Sequence, residues 1–160
     1  MKSRSYLTRT LYGLSVAGLS LIVFGNTAYA AEENATVIHL TQTGCQFLEP
    51  EGKDNHFKTK SSSDCEVINK KTADDRLAEV KPLKLKPGKY IFRVSNKNVP
   101  YSLGFYFRGT GLGRLTLPSV SGGGLDTGVE KDYVIELKTG KYVYSCPLNP
   151  TPDYPVIVEG

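Results

Sequence analysis

The residues best equipped for chemistry in this chain are its three cysteines, Cys45, Cys65 and Cys146. A thiol can close a disulfide in an oxidising compartment or, as a thiolate, hold a soft metal ion. Three is odd, so at most one internal bridge forms and one thiol is left over. Cys146 has the most constrained setting. It follows the strand-like run Lys141-Tyr-Val-Tyr-Ser145 and precedes Pro147-Leu-Asn-Pro-Thr-Pro-Asp-Tyr-Pro155, four prolines in nine residues. Proline fixes φ, so this loop is stiff and presents the thiol between two terminal strands, as a preorganised ligand site would. The two histidines, His39 and His56, are seventeen residues apart and join no Ser/His/Asp or Cys/His set. Gly109-Thr-Gly-Leu-Gly113 lacks the full spacing of a dinucleotide loop and opens no helix. Ser121-Gly-Gly-Gly124 lacks the surroundings of a nucleophile elbow. Both glycine runs read as loops, and the chain is expected not to be an enzyme.

The elements that would position these thiols are mostly strands. Ala35 to Thr43 alternates and is rich in β-branched residues, which predicts a first strand, ended by Gly44-Cys45. Further strand signals follow at Leu83–Leu85, Tyr90–Val94, Tyr101–Phe107, Asp132–Leu137, Lys141–Ser145 and Tyr154–Glu159, with turn signals between them. Short strands punctuated in this way predict an all-β sandwich or barrel. Lys84, Lys86 and Lys89 suit the protection of an exposed sheet edge. Residues 46–80 differ, being polar and charged. They read as an irregular insertion, with a capping box at Thr72-Ala-Asp-Asp75 and a short helix after it. Too few large apolar residues lie there for a second core. Cys45 and Cys65 bracket this insertion, and their pairing would close a loop of about twenty residues, worth on the order of 3 kcal/mol.

Residues 1–30 have the three parts of a secretory signal peptide: basic Lys2, Arg4 and Arg9, an apolar run from Leu11 to Phe24, and Ala28-Tyr-Ala30. The apolar run is shorter than the roughly 20 residues of a spanning helix, so cleavage after Ala30 is expected, leaving 31–160 as one periplasmic or secreted domain. Removing Lys2, Arg4 and Arg9 from the 20 Lys and Arg leaves 17 against 16 Asp and Glu, close to neutral. No basic cluster interleaves with aromatics, so no nucleic-acid partner is expected.

The order of these pieces resembles the cupredoxins, Greek-key β-sandwiches whose penultimate strand ends in a copper-binding cysteine. The resemblance rests on Lys86-Pro-Gly-Lys-Tyr-Ile-Phe-Arg-Val-Ser-Asn96, on Asn98-Val-Pro-Tyr101, and on the run from Gly128 to Tyr-Val-Tyr-Ser-Cys146. It covers about residues 81–160 and the first strand. A usual type 1 copper site adds two imidazoles and a methionine to the cysteine. Here Tyr101 stands at the first imidazole position and Asn149 at the second, and the only methionine is Met1. The resemblance therefore implies a non-blue variant. The chain is also similar to the exported cupredoxin-like domain of bacterial iron-uptake proteins, which carry a Gly-Cys after the first strand, here Gly44-Cys45, and a second cysteine at the end of the penultimate strand.

That resemblance implies that the first strand and the Cys146 loop share a pole. Cys45, Glu49, Glu51 and His56 could then join Cys146 as metal ligands. Thiolates select Cu(I), and carboxylates broaden the site toward harder ions such as iron. A shared pole also leaves a Cys45–Cys146 bridge, or three reduced thiols on a metal, as alternatives to Cys45–Cys65. Three functions are compatible with the resemblance: copper (or iron) handling through a cysteine-based site, a metal-free structural or interaction domain, and electron transfer through an unusual copper site. The expected partners are a metal ion and a periplasmic or membrane protein.

Overall fold

The computed structural model describes residues 35–160; the basic and apolar segment read as a signal peptide lies outside the described residues. Nine strands form two sheets among those residues. In the first sheet the order is β2 (Gln46–Phe47), β1 (Thr36–Thr43), β4 (Gly88–Asn96), β7 (Glu130–Leu137). In the second it is β3 (Leu83–Leu85), β9 (Tyr154–Val158), β8 (Gly140–Ser145), β5 (Leu103–Gly109), β6 (Val120–Leu125). This is the all-β sandwich that the sequence predicts. β1 runs parallel to β4, from Thr36 opposite Tyr90 to Gln42 opposite Asn96. A parallel pair needs a crossover connection, and the polar insertion followed by β3 supplies it.

Alternation made these strands readable. β7 buries Tyr133, Ile135 and Leu137 and turns Asp132, Val134 and Glu136 outward. The inward residues build an aromatic core. Phe92 packs tilted against Phe107 at 4.7 Å between centroids, and Phe47 meets Tyr144 edge-on at 5.2 Å. Each such ring contributes about 1.5–3 kcal/mol through burial. The penultimate strand, β8, stops immediately before Cys146, which is fully buried.

Besides a four-residue helix at Gly113–Thr116, where the glycine run was expected to open none, two sequence expectations are corrected. Residues 46–80 are not irregular: α1 spans Leu48–Glu51 and α2 spans Ser62–Glu79, an 18-residue helix. The capping box sits at its start, where the Lys60 and Ser61 N–H groups donate to Asp64. Thr72, read as the cap, lies mid-helix and donates to Ile68 O. The short helix expected after Thr72 is the end of this longer one, whose earlier turns have no apolar stripe to mark them; its buried residues are Cys65 and Arg76. It is pinned by bonds rather than by a hydrophobic face. The second correction is Ser121-Gly-Gly-Gly124, which belongs to strand β6. A Cβ on Gly122 would lie 2.9 Å from the Tyr133 ring, and one on Gly104 2.8 Å from Gly122 O. Glycine is therefore required by close approach in a paired strand, not by looping. Among the described residues no helix is long and apolar enough to cross a membrane.

Cys45 and Cys65 form the disulfide, across 20 residues of sequence. Because α2 buries so little, reduction is expected to cost on the order of 3 kcal/mol and to melt much of the helix. Denaturant titration with and without reductant, followed by far-ultraviolet circular dichroism, measures both. Unchanged stability with full helical signal would mean that the bond does not hold α2.

Candidate functional site

The pole below β8 is organised around a two-residue turn. β1 and β2 pair with Gln42 opposite Phe47 and Thr43 opposite Gln46, leaving Gly44 and Cys45 to reverse the chain. Cys45 takes φ +64°, a left-handed conformation that costs a non-glycine residue energy unless its surroundings hold it. They do so at every polar atom. Its N–H donates to Asn149 Oδ1 at 3.2 Å. Its carbonyl accepts from Asn69 Nδ2 and from Arg76 Nη2. Its sulfur is bonded to Cys65.

Asn149 is the hub of this arrangement and is fully buried. Its side-chain N–H donates to Thr43 O at 2.8 Å, while Oδ1 accepts from Cys45 N–H and from the Tyr101 hydroxyl at 3.1 Å. The Tyr101 oxygen is 3.7 Å from Cys65 Sγ. The two positions where the resembling family places imidazoles, Tyr101 and Asn149, are thus in direct contact with each other. They hydrogen-bond across the pole and rest on the disulfide.

Cys146 lies beneath them as a free thiol. The Gly104 N–H donates to its sulfur at 3.3 Å, and its own N–H donates to Thr151 Oγ1. Burial raises the thiol above its ordinary pKa; N–H groups of Gly104, Leu148 and Asn149 and the Gln42 side chain pull the other way without cancelling it. The sulfur is held protonated through neutral pH, which disfavours both nucleophilic attack and metal ligation.

The other sequence-derived ligands do not join Cys146. Glu51 turns toward α2 and Tyr154. Its Oε1 accepts from Arg76 Nη2 and Tyr154 Oη, and its Oε2 from Arg76 Nε and Asn55 Nδ2. Both members of the Arg76–Glu51 ion pair are nearly fully buried, at 7% and 2% side-chain exposure. Glu49 accepts the Thr41 N–H. His56 is 83% exposed at its side chain, with Nδ1 3.7 Å from Asp54. His39 lies exposed on β1, as expected. Among the described residues no three His, Cys, Asp or Glu side chains gather closely enough to hold a metal ion. The donor set does not fit a type 1 copper centre: one protonated thiol, no imidazole, and a second and third sulfur tied to each other. Sequence reasoning missed Asn69 and Arg76, whose polar pattern on α2 carried no signal for the pole.

No protein-family model and no curated protein sequence matches this chain. Among solved structures it is similar to auracyanin B, with 11% identity, a TM-score of 0.49, and coverage of 81% of this chain and 92% of that one. It is also similar to two amicyanin variants. One is a proline-to-glycine variant in its reduced Cu(I) form, at 22% identity and TM-score 0.35, covering 49% of this chain and 69% of that one. The other is an oxidised methionine-to-lysine variant, at 23% identity and TM-score 0.34, covering 51% and 71%.

Two outcomes follow from the buried groups of this pole and the adjoining core. A thiol reagent should find one thiol per unfolded chain but react with the native protein far more slowly; rapid native labelling would place Cys146 within solvent reach. The second concerns pH. Burial raises the pKa of Cys146 and also of Tyr101, Tyr133, Tyr142, Tyr144 and Tyr154. The unfolded chain therefore releases these protons at lower pH than the folded one. Stability should be intact below about pH 8.5, where the unfolded thiol titrates, and should fall increasingly steeply beyond about pH 10 with the tyrosines. Denaturant midpoints measured from pH 7 to 11 test this, and a flat profile would contradict it.

Proposed function

We propose that this chain is an exported cupredoxin-like domain that carries no metal in its disulfide-bonded state and acts as a binding module in the periplasm or outside the cell. The observation that carries this reading is the Asn149 amide. It ties Thr43, Cys45 and Tyr101 together where the resembling family would place metal ligands. A metal there would have to displace a saturated set of buried hydrogen bonds, each costly to leave unmade. The reading also agrees with the absence of a nucleophile–base pair in the sequence, and so with a non-enzymatic role.

A second reading, copper handling, is favoured by two orphaned atoms. Gln42 Oε1 and Thr43 Oγ1 are buried without a hydrogen-bond partner among the described residues, and Gln42 lies against the Cys146 thiol. All three cysteines also meet the Asn149–Tyr101 contact or adjoin it. Reducing the Cys45–Cys65 bond would release two further thiols beside this pole, a soft donor set suited to Cu(I).

Titration of Cu(I) against a competing chelator separates the two, performed on the oxidised and reduced protein and on Cys146→Ser. No stoichiometric binding to oxidised protein, and no effect of the substitution, is the result expected of a metal-free domain. Binding that appears only after reduction and weakens in Cys146→Ser would establish the second reading. Stoichiometric copper on the oxidised protein, lost in Cys146→Ser, would overturn the first.

A further inference from the structure

The sandwich is open on one side. β2 pairs only with the last two residues of β1, so the rest of β1 borders the first sheet, while β3 borders the second. Between these two edges lies a cleft of about 460 Å³. Ile38, Leu40 and Leu83 give it an apolar lining, the buried Tyr144 and Glu51 form its floor, and the exposed Glu49 stands at its mouth. Lys81 and Lys84 stand at its exposed rim, the latter 3.5 Å from Glu159.

Tyr144 is the exception among the buried tyrosines. Tyr90 donates to Lys86 O, Tyr133 to Gly122 O, Tyr142 to Lys138 O and Tyr154 to Glu51. Tyr144 is 2% exposed and lines the cleft, and its hydroxyl takes part in none of the side-chain bonds that hold the other four. A buried tyrosine hydroxyl ordinarily finds a hydrogen-bond partner. Glu49 and Glu51 line the same cleft as Tyr144, and after burial their charges further raise its pKa. Glu51 is saturated on both oxygens by Arg76, Tyr154 and Asn55. Glu49 spends one oxygen on the Thr41 N–H. The cleft therefore offers two acceptors beside its apolar wall, the phenol oxygen within it and one Glu49 oxygen at its mouth, where Glu79 adds a further carboxylate.

We propose that this cleft binds a small organic cation, an ammonium on an apolar body, with the ammonium donating to Glu49 and to the Tyr144 oxygen and the body packed on Ile38, Leu40 and Leu83. The site lies on a different face from Cys146. It gives the binding module of the preceding section a ligand class, and it stands or falls separately from any copper titration.

Phenethylamine, phenylethanol and phenylacetate share one ring and differ in the charge of the head, so they serve as probes in a two-dimensional amide NMR titration of the oxidised protein. A fragment of this size should bind in roughly the millimolar range. The expected order is amine over alcohol over carboxylate, with shifts at Ile38, Leu40 and Leu83. Glu49→Gln should weaken the amine tenfold or more and leave the alcohol unchanged. Tyr144→Phe, which keeps the ring, should weaken it severalfold without moving the thermal midpoint. Equal or tighter binding of phenylacetate would assign the site to the rim lysines and overturn the proposal. So would an unchanged amine affinity in Glu49→Gln, or no saturable shift with any of the three.

Discussion

The arrangement on which the rest of this pole depends is the clamp on Cys45. A left-handed non-glycine residue at the apex of a two-residue turn is an unfavourable start, and four partners hold it: the Asn149 amide, the Asn69 amide, the Arg76 guanidinium and the Cys65 sulfur. The partners come from α2 and from the loop after β8, so the turn binds both to the sandwich. α2 has little else. Its fully buried residues are Cys65 and Arg76, and Leu77 alone among its side chains packs, partly buried, against the core, so apolar burial, the usual source of helix stability in proteins, is small here. Arg76 in turn needs Glu51, because a buried guanidinium without its carboxylate is strongly destabilising. The turn, the helix and the proline-rich loop thus form one polar unit laid over the end of an aromatic core.

Within this unit an amide and a phenol face each other, and burial holds the thiol beneath them protonated. An amide offers a donor and an acceptor at once and can cross-link backbone segments. The Asn149 amide does so between β1, the Cys45 turn and Tyr101. The proline-rich loop then reads differently from its sequence impression. Its rigidity serves to aim Asn149 inward as much as to display Cys146.

How much of this was legible depended on the range of the interaction. Strands such as β7 and β8 could be read because alternation is a local record of which side faces the core. The disulfide could be read because Cys45 and Cys65 bracket a segment that lacks a core of its own. Most of α2 could not, since a helix held by a disulfide, an amide and a guanidinium leaves no apolar periodicity; only its end was expected. β6 could not, since its glycines answer to Tyr133 and Gly104 on other strands. Glu49 and Glu51 were expected to ligate a metal with Cys146, but their neighbours are Thr41, Arg76 and Tyr154. Sequence proximity to Cys45 suggested the pole, whereas α1 carries the carboxylates to the open side of the sandwich.

The parallel pairing of β1 with β4 sets the kinetics of folding. β1 cannot find its ladder partner until the chain from Thr43 to Gly88 has been spanned, and long-range parallel pairing is slow to nucleate. The Cys45–Cys65 bond lies wholly within that span and takes 20 residues out of it. Closure entropy grows only with the logarithm of loop length, so this shortening speeds the search by a factor of about two to three. An oxidised chain therefore gains little time. What the bond contributes comes after the sheets have met, when it keeps the turn from relaxing out of its left-handed state.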